Sequence, residues 1–561
     1  MTGVTLEAVL AEIKQTLQRE GAAAALAYAQ QAYTQSGQDA RLLMPLAQLH
    51  LATQQYDPAI QILDALSAAN PGNPGIAQLR STSRRSRFLA QQHGNAPFYP
   101  TVLALRQDVE AALAEGDIDY ALTVLHEAAY RLVKETSRGD YEPGNDARLD
   151  ALCLQAGAAL AARLGLTPMG SDPDGPIVYV ATAIHEFGGH SRVLLDYIRR
   201  QPKRRHVILL TEMNIRVPPA VLQPILDTQL AGIDYTILRS PGGRNDAIAR
   251  WLFEQLAALK PAASFIFNHP YDPIGPAAIA LLKPGVVYFN HHADGGFSLG
   301  ASIAVTGHID ETPACHHVLC RATPGLNPLY IPLTIPDPGA RDPQGFLAPR
   351  PLRTAVCASA NKFTDQDYAY RYAEMVPFIL ARTDGEHLHI GPLPPDFLGL
   401  IAANLQRAGI TAARFRHIAN VPSLSRALGE LDVDLYLTSF PGGGSKAGVE
   451  AMASGTPVLC HRNYLSRFGS GVADMMYPDA LFWHDHDSLA AALQAAQSRP
   501  ELARQSALAR AHFDTHHAPA VVEQAWRDGK PRGLEPPPLP PHRPDRVQRA
   551  FDKFSRPAAK A

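Results

Sequence analysis

The chain has 561 residues, too many for one hydrophobic core, so two or three domains are expected. Its apolar content of 46% and charged content of 19% are those of an ordinary globular protein. A formal net charge of -2 leaves no basic excess to neutralise phosphates, which argues against a general nucleic-acid or anionic-membrane binder.

The first twenty residues carry acidic side chains early and no unbroken apolar run, unlike a signal peptide. No stretch of about 18 apolar residues occurs anywhere, so no membrane span is expected, and a cytoplasmic location follows. Residues 1–168 are rich in Ala and Leu with apolar spacings of three and four, which predicts helices. Ala25 and Ala59 stand 34 positions apart, as do Gly21 and Gln55, and this is the period of tetratricopeptide helix pairs. Leu46, Ala47, Ala59, Leu63 and Pro71 fall where such a unit needs small or apolar contacts and a closing proline. A further helix–turn–helix, "LAEGDIDYALTVLHEAAYRL", covers 113–132. Stacked pairs of this kind leave a concave surface; a plain helical bundle is the alternative.

At "GSDPDGPIVYVATA" (170–183) the pattern changes to alternating strand and helix, predicting a first Rossmann-like domain over 175–336. "IVYVATA", "HVILLTE", "DYTILRS", "ASFIFNH" and "GVVYFNHH" read as its strands, with helices such as "RVLLDYIRR" and "DAIARWLFEQLAALK" between them. The basic run "RRQPKRRH" (199–206) reads as a solvated connection. Five scattered cysteines without a C-x-x-C pair indicate neither a disulfide framework nor a zinc ribbon. "CHHVLC" (315–320) reads as a strand, whose alternating faces would separate its ligand atoms, so no metal is expected there.

A Pro-rich linker at 337–351 precedes a second Rossmann-like domain, 352–529, with strands "TAVCASA", "HLHIGPL", "RFRHIA", "VDLYLTS" and "TPVLC". The tail, 530–561, has no apolar period and is expected to be extended or disordered. Two α/β domains on a hinge enclose a cleft at the carboxyl ends of their strands, where ligands of open α/β sheets bind.

Four segments bring chemistry to those strand ends. In "SFPGGGSKAGVEAMASGTPVLC" (439–460) a glycine turn leads from strand to helix. It is either a tight structural corner or a phosphate cradle built from bare backbone and free helix N–H groups. In the second case Lys446 adds a charge, Ser445 a hydroxyl, and Glu450 reaches a vicinal diol one turn further on. "HEFGGHSRV" (185–193) places His190 at the start of a helix, where the dipole keeps an imidazole neutral; His185 or Glu186 would orient it. A capping role for His190 is the alternative. "YFNHHADGG" (288–296) supplies Asn290, His291, His292 and Asp294, of which one histidine faces the cleft; a metal set is the alternative. "SANKFTDQD" (359–367) carries Lys362, which is either a diphosphate contact or an ordinary surface lysine.

Together these segments resemble the GT-B glycosyltransferases, above all the tetratricopeptide-linked protein O-GlcNAc transferases and the bacterial cytoplasmic protein N-glucosyltransferases. The resemblance implies His190 at the reaction centre, Lys362 on the diphosphate and Glu450 on the ribose. It also puts Gly443, Gly444, Ser445, Lys446 and Ala447 around the phosphates. A Lys-Ala pair replaces two hydroxyl residues of the family. Gly442 stands where retaining GT-B enzymes carry an acid, which favours inversion. The expectation is an inverting transfer from a nucleoside-diphosphate sugar, UDP-linked, without a metal or other cofactor. Glu186 would act with His190, His292 or Asp294 would line the acceptor side, and the acceptor would be a protein such as a flagellin or adhesin. A sugar-nucleotide epimerase, a glycan or small-molecule glycosyltransferase, and a non-enzymatic repeat adaptor are the rival readings.

Overall fold

The computed structural model describes residues 5–91, 102–137, 145–185, 189–283, 285, 287–291, 296–363, 368–464, 467 and 471–539. The helical region comprises Leu6–Glu20, Ala22–Gln35, Leu43–Ala52, Tyr56–Ala69, Pro74–Gln91, Val102–Ala114, Ile118–Ser137 and Ala147–Arg163 (α1–α8). Ala25, Ala29, Ala47 and Ala59 are buried at the contacts of its first helices, because only small side chains let paired helices approach this closely.

The last two of these helices share a core with the first lobe. Ile118, Leu122, Ala156 and Leu160 pack with Val178, Val207 and Ile266 of its sheet. Asp150 Oδ1 accepts the N–H of Gly300 at 2.6 Å and its Oδ2 that of Ser302 at 2.8 Å. At Gly157, α8 lies so near the first lobe that an added Cβ would stand 2.0 Å from the Ala277 carbonyl oxygen.

The first lobe holds β1 (Ile177–Ala181), β2 (His206–Leu210), β3 (Tyr235–Arg239), β4 (Ala263–Phe267), β5 (Val287–His291), β6 (Gly307–Asp310) and β7 (Pro328–Tyr330). These form one parallel sheet in the order β3-β2-β1-β4-β5-β6-β7. Its helices are α9 (Gly189–Arg199), α10 (Pro219–Gln229), α11 (Asn245–Leu259) and α12 (Ile274–Ala278). The second lobe holds β8 (Thr354–Cys357), β9 (His387–Ile390), β10 (Phe415–Ile418), β11 (Leu435–Leu437), β12 (Val458–His461) and β13 (Leu481–Trp483), ordered β10-β9-β8-β11-β12-β13. Its helices are α13 (Tyr372–Leu380), α14 (Pro395–Arg407), α15 (Leu424–Glu430), α16 (Ser445–Ala453), α17 (His486–Ala496) and α18 (Arg499–His516), followed by α19 (Pro519–Glu523). Both orders contain the doubly wound Rossmann arrangement, whose reversal point lies beside the first strand. Two such lobes behind a tetratricopeptide-like helical region make the architecture that the sequence predicts.

Three further strands, β6, β7 and β13, are absent from the sequence reading. The reading of "CHHVLC" as a strand is wrong: Cys315–Cys320 is a π-helical turn. Pro313 follows Thr312, whose Oγ1 accepts the Cys315 N–H at 3.2 Å, so the segment opens as a helix does. The chain beyond α18 returns to the first lobe. Thr334 Oγ1 donates to the His517 carbonyl at 2.5 Å, and Trp526 sits edge-on to Tyr197 with centroids 4.9 Å apart. Lys530–Pro531 pairs antiparallel with Trp526–Arg527, so the tail expected to lack structure begins as a strand, and the Leu534 N–H then donates to the Tyr330 carbonyl of β7 at 2.8 Å. Residues 540–561 lie outside the described residues. Among the described residues no helix is long and apolar enough to cross a membrane.

Candidate functional site

β11 delivers the chain to the glycine turn. Ser439 Oγ donates to the Gly442 carbonyl at 2.7 Å, and Lys362 Nζ donates to the Gly443 carbonyl at 2.9 Å. The loop after β8 and the turn after β11 are thereby joined side by side. None of Gly442, Gly443 and Gly444 adopts a positive φ, so backbone conformation does not demand glycine here. A Cβ on Gly442 would stand 3.1 Å from Lys362 Cδ, whereas one on Gly444 would meet only ordinary contacts. What the bare turn provides is a thin wall beside the helix that follows.

That helix is α16. Its first N–H groups have no intrahelical acceptor and carry the positive end of the helix dipole. Ser445, its first residue, is buried, and its Oγ has no hydrogen-bond partner among the described residues. Lys446 is also buried, and its Nζ donates to Asp196 Oδ2 of α9 in the other lobe at 2.7 Å. Glu450 Oε2 accepts the N–H groups of Leu424 and Ser425 at 3.0 and 3.2 Å, which caps α15. Its Oε1 lies 3.3 Å from Arg192 Nη1, again across the lobes.

The starts of α9 and α16 therefore meet. A Cβ on Gly189 would stand 3.6 Å from Lys446 Cβ. His190, the next residue, has its ring centroid 5.7 Å from those of Phe267 and His269. His185 stacks on His269 at 5.6 Å. Burial lowers the His269 pKa to about 4 and also lowers that of His185, so both rings are neutral near pH 7. A cavity beside Asp196 is lined by Val193, Tyr197, Arg200, Glu311 and Thr334.

Of the residues singled out from sequence, the structure brings together His190, Lys362, Gly443, Gly444, Ser445, Lys446 and Glu450 around these two helix starts. Glu186, His292 and Asp294 lie outside the described residues. His291 turns away from the cleft, with its Nδ1 2.9 Å from Cys315 Sγ. The sequence reading missed His269, Arg192 and Asp196. His269 ends a recognised strand, and Arg192 and Asp196 lie four apart on one face of a helix that begins at the site, so both signals were present.

One wall of this site is thus rich in N–H donors and lysines, suited to a doubly charged phosphate group, and the facing wall carries neutral imidazoles. The tetratricopeptide repeat family model matches residues 17–82. No curated protein sequence matches the chain. Among solved structures, the chain is similar to a mutant of the Thermobaculum terrenum O-GlcNAc transferase, at 14% identity and a TM-score of 0.46, over 93% of this chain and 97% of that one. It is similar to Anabaena HepE, solved with UDP and glucose, at 12% identity and a TM-score of 0.48, over 62% of this chain and 97% of that one. It is also similar to Acinetobacter baumannii MurG, at 15% identity and a TM-score of 0.42, over 62% and 98%.

Proposed function

We propose that the chain is an inverting glycosyltransferase that moves a sugar from a UDP-linked donor to a protein side chain. The observation that carries this reading is the buried Ser445 hydroxyl, without a hydrogen-bond partner among the described residues, at the start of α16, between Lys446 and the glycine turn and close to the start of α9. A diphosphate supplies the acceptor oxygens that this hydroxyl and the free N–H groups lack.

In this reading the donor's diphosphate lies across Gly443, Gly444 and Ser445, with Lys362 and Lys446 as cations. Lys446 exchanges Asp196 for phosphate oxygens when the donor enters. The ribose hydroxyls bind Glu450 Oε1 in place of Arg192. That guanidinium side chain is 44% exposed, so the pair it gives up is worth at most about 1 kcal/mol. The acceptor atom attacks C1 from the first lobe, the C1–oxygen bond to the diphosphate breaks, and configuration inverts. His190 takes the acceptor's proton, with Glu186, His292 and Asp294 on the acceptor side. The lysines and N–H groups stabilise charge developing on the leaving diphosphate, so the step itself requires no cofactor or added divalent metal. The helical repeats supply a concave surface for an extended protein acceptor, such as a segment of a flagellin or adhesin.

A thermal-shift panel of UDP, GDP, ADP and dTDP sugars, followed by mass analysis of co-expressed acceptor proteins, tests the reading. A UDP-sugar should raise the melting temperature, and an acceptor should gain the mass of a glycosyl residue. Absence of any nucleotide response would remove it, and isomerised donor without acceptor would replace it with epimerisation.

A further inference from the structure

At the far ends of β5 and β6, His291, Asp310, Cys315 and Cys320 bring four ligand atoms within 4.8 Å of one another, and all four residues are buried. We propose that these four residues form a structural zinc site in the first lobe.

Cys315 Sγ lies 2.9 Å from His291 Nδ1 and 3.4 Å from Asp310 Oδ1. Cys320 Sγ lies 2.9 Å from Asp310 Oδ1 and 3.8 Å from His291 Nδ1. His291 Nδ1 and Asp310 Oδ1 are 3.9 Å apart. A tetrahedron built on zinc bonds of about 2.0–2.3 Å has edges of roughly 3.3–3.8 Å, so small movements place all four ligands. The π-helical turn makes this possible. Its widened winding turns residues five apart toward one side, and both sulfurs reach the same carboxylate oxygen.

The surroundings match what a metal-bound histidine needs. His291 Nε2 lies 3.2 Å from the Gly296 carbonyl and donates to it, which leaves the lone pair on Nδ1, the atom facing the sulfurs. His316 Nδ1 stands 3.5 Å from Asp310 Oδ2, placed to hold the second carboxylate oxygen.

A purely hydrogen-bonded cluster is the competing account. It would leave a fully buried carboxylate supported chiefly by thiols, which are weak donors. A dication removes that cost and takes both sulfurs as thiolates. Two thiolates, one imidazole and one carboxylate suit zinc better than magnesium or calcium. With four protein ligands and no open position the site is structural. It ties the end of β5 to the end of β6, directly before His292 in the chain.

Elemental analysis of the full chain, purified without chelators or metal-affinity steps, should find one zinc per chain. Cys315→Ser and Cys320→Ser should each lose most of it, while Cys357→Ser, in the other lobe, should retain it. Cobalt loaded into chelator-treated protein should show a thiolate-to-metal charge-transfer band. Because the serine variants can fail to fold, the wild-type chain decides alone. Metal-free protein whose melting temperature does not respond to added zinc, or a Cys315–Cys320 disulfide found by mass analysis, would overturn the proposal.

Discussion

Ser445, Lys446 and Glu450 belong to one nine-residue helix, yet their surroundings differ. The Ser445 hydroxyl has no hydrogen-bond partner among the described residues, Lys446 holds Asp196, and Glu450 caps α15 while facing Arg192. Glu450 therefore has two separable roles. Glu450→Ala leaves two buried N–H groups without their acceptor, a loss of about 1–3 kcal/mol in stability, and should also weaken nucleotide binding. Glu450→Gln keeps an acceptor oxygen for those N–H groups, so it should melt near the wild type. Chemical denaturation and calorimetric titration of both variants would check this; equal destabilisation by both would refute the capping role. His190→Ala should lower turnover by about 10²–10⁴-fold while leaving donor affinity unchanged. Near-normal turnover would exclude His190 as the base.

Two ion pairs join α9 to α16, and their exposure separates them in strength. Lys446–Asp196 has side chains 9% and 15% exposed, whereas Arg192 in the other pair is 44% exposed. The buried pair is the one that competes with a diphosphate for Lys446. Asp196→Asn should release the lysine and tighten UDP binding severalfold in calorimetry, with the gain shrinking at high salt. Weaker binding in that variant would mean that Asp196 positions Lys446 for the donor. The helices themselves were legible, since "HSRVLLDYIRR" and "SKAGVEAMASG" both carry start and periodicity signals. Their mutual contact was not, because nothing in the spacing of either segment refers to the other.

Over the whole molecule, neutral buried histidines govern the response to acid. Burial pushes the pKa of His387, His461 and His517 down to about 3, and that of His389 and His512 down to about 4. Hydrogen bonds to the neutral rings fit this state: His387 Nδ1 meets Thr354 Oγ1 at 2.8 Å, and its Nε2 meets the Tyr372 hydroxyl at 3.0 Å. The unfolded chain takes up these protons near pH 6.5, and the folded chain does so only near pH 3–4. Between those limits the unfolded state binds more protons, so stability falls as pH drops. Each group costs up to about 2 kcal/mol by pH 5. Asp150, pushed up to about 6 by burial, acts in the opposite sense, as does Asp117, but the buried histidines outnumber them. Calorimetric melting temperature should therefore decline steadily from pH 7 to pH 5; a flat or rising profile would contradict the assignment.

From the residues alone follow the helical repeats, the alternating strands and helices, and the glycine turn, because apolar periodicity and backbone hydrogen bonding act over a few residues. The winding of Cys315–Cys320 is local too, but in "CHHVLC" apolar content obscures the proline-led start and mimics a strand. Only the tertiary structure decided that Lys446 meets Asp196 and Glu450 meets Arg192, 250 and 258 positions away. It alone gathers His269 beside His190, and closes the end of β5 with two cysteines and an aspartate. Contacts of that span depend on how two sheets stack and turn toward each other, a property of the packed whole to which no local spacing refers.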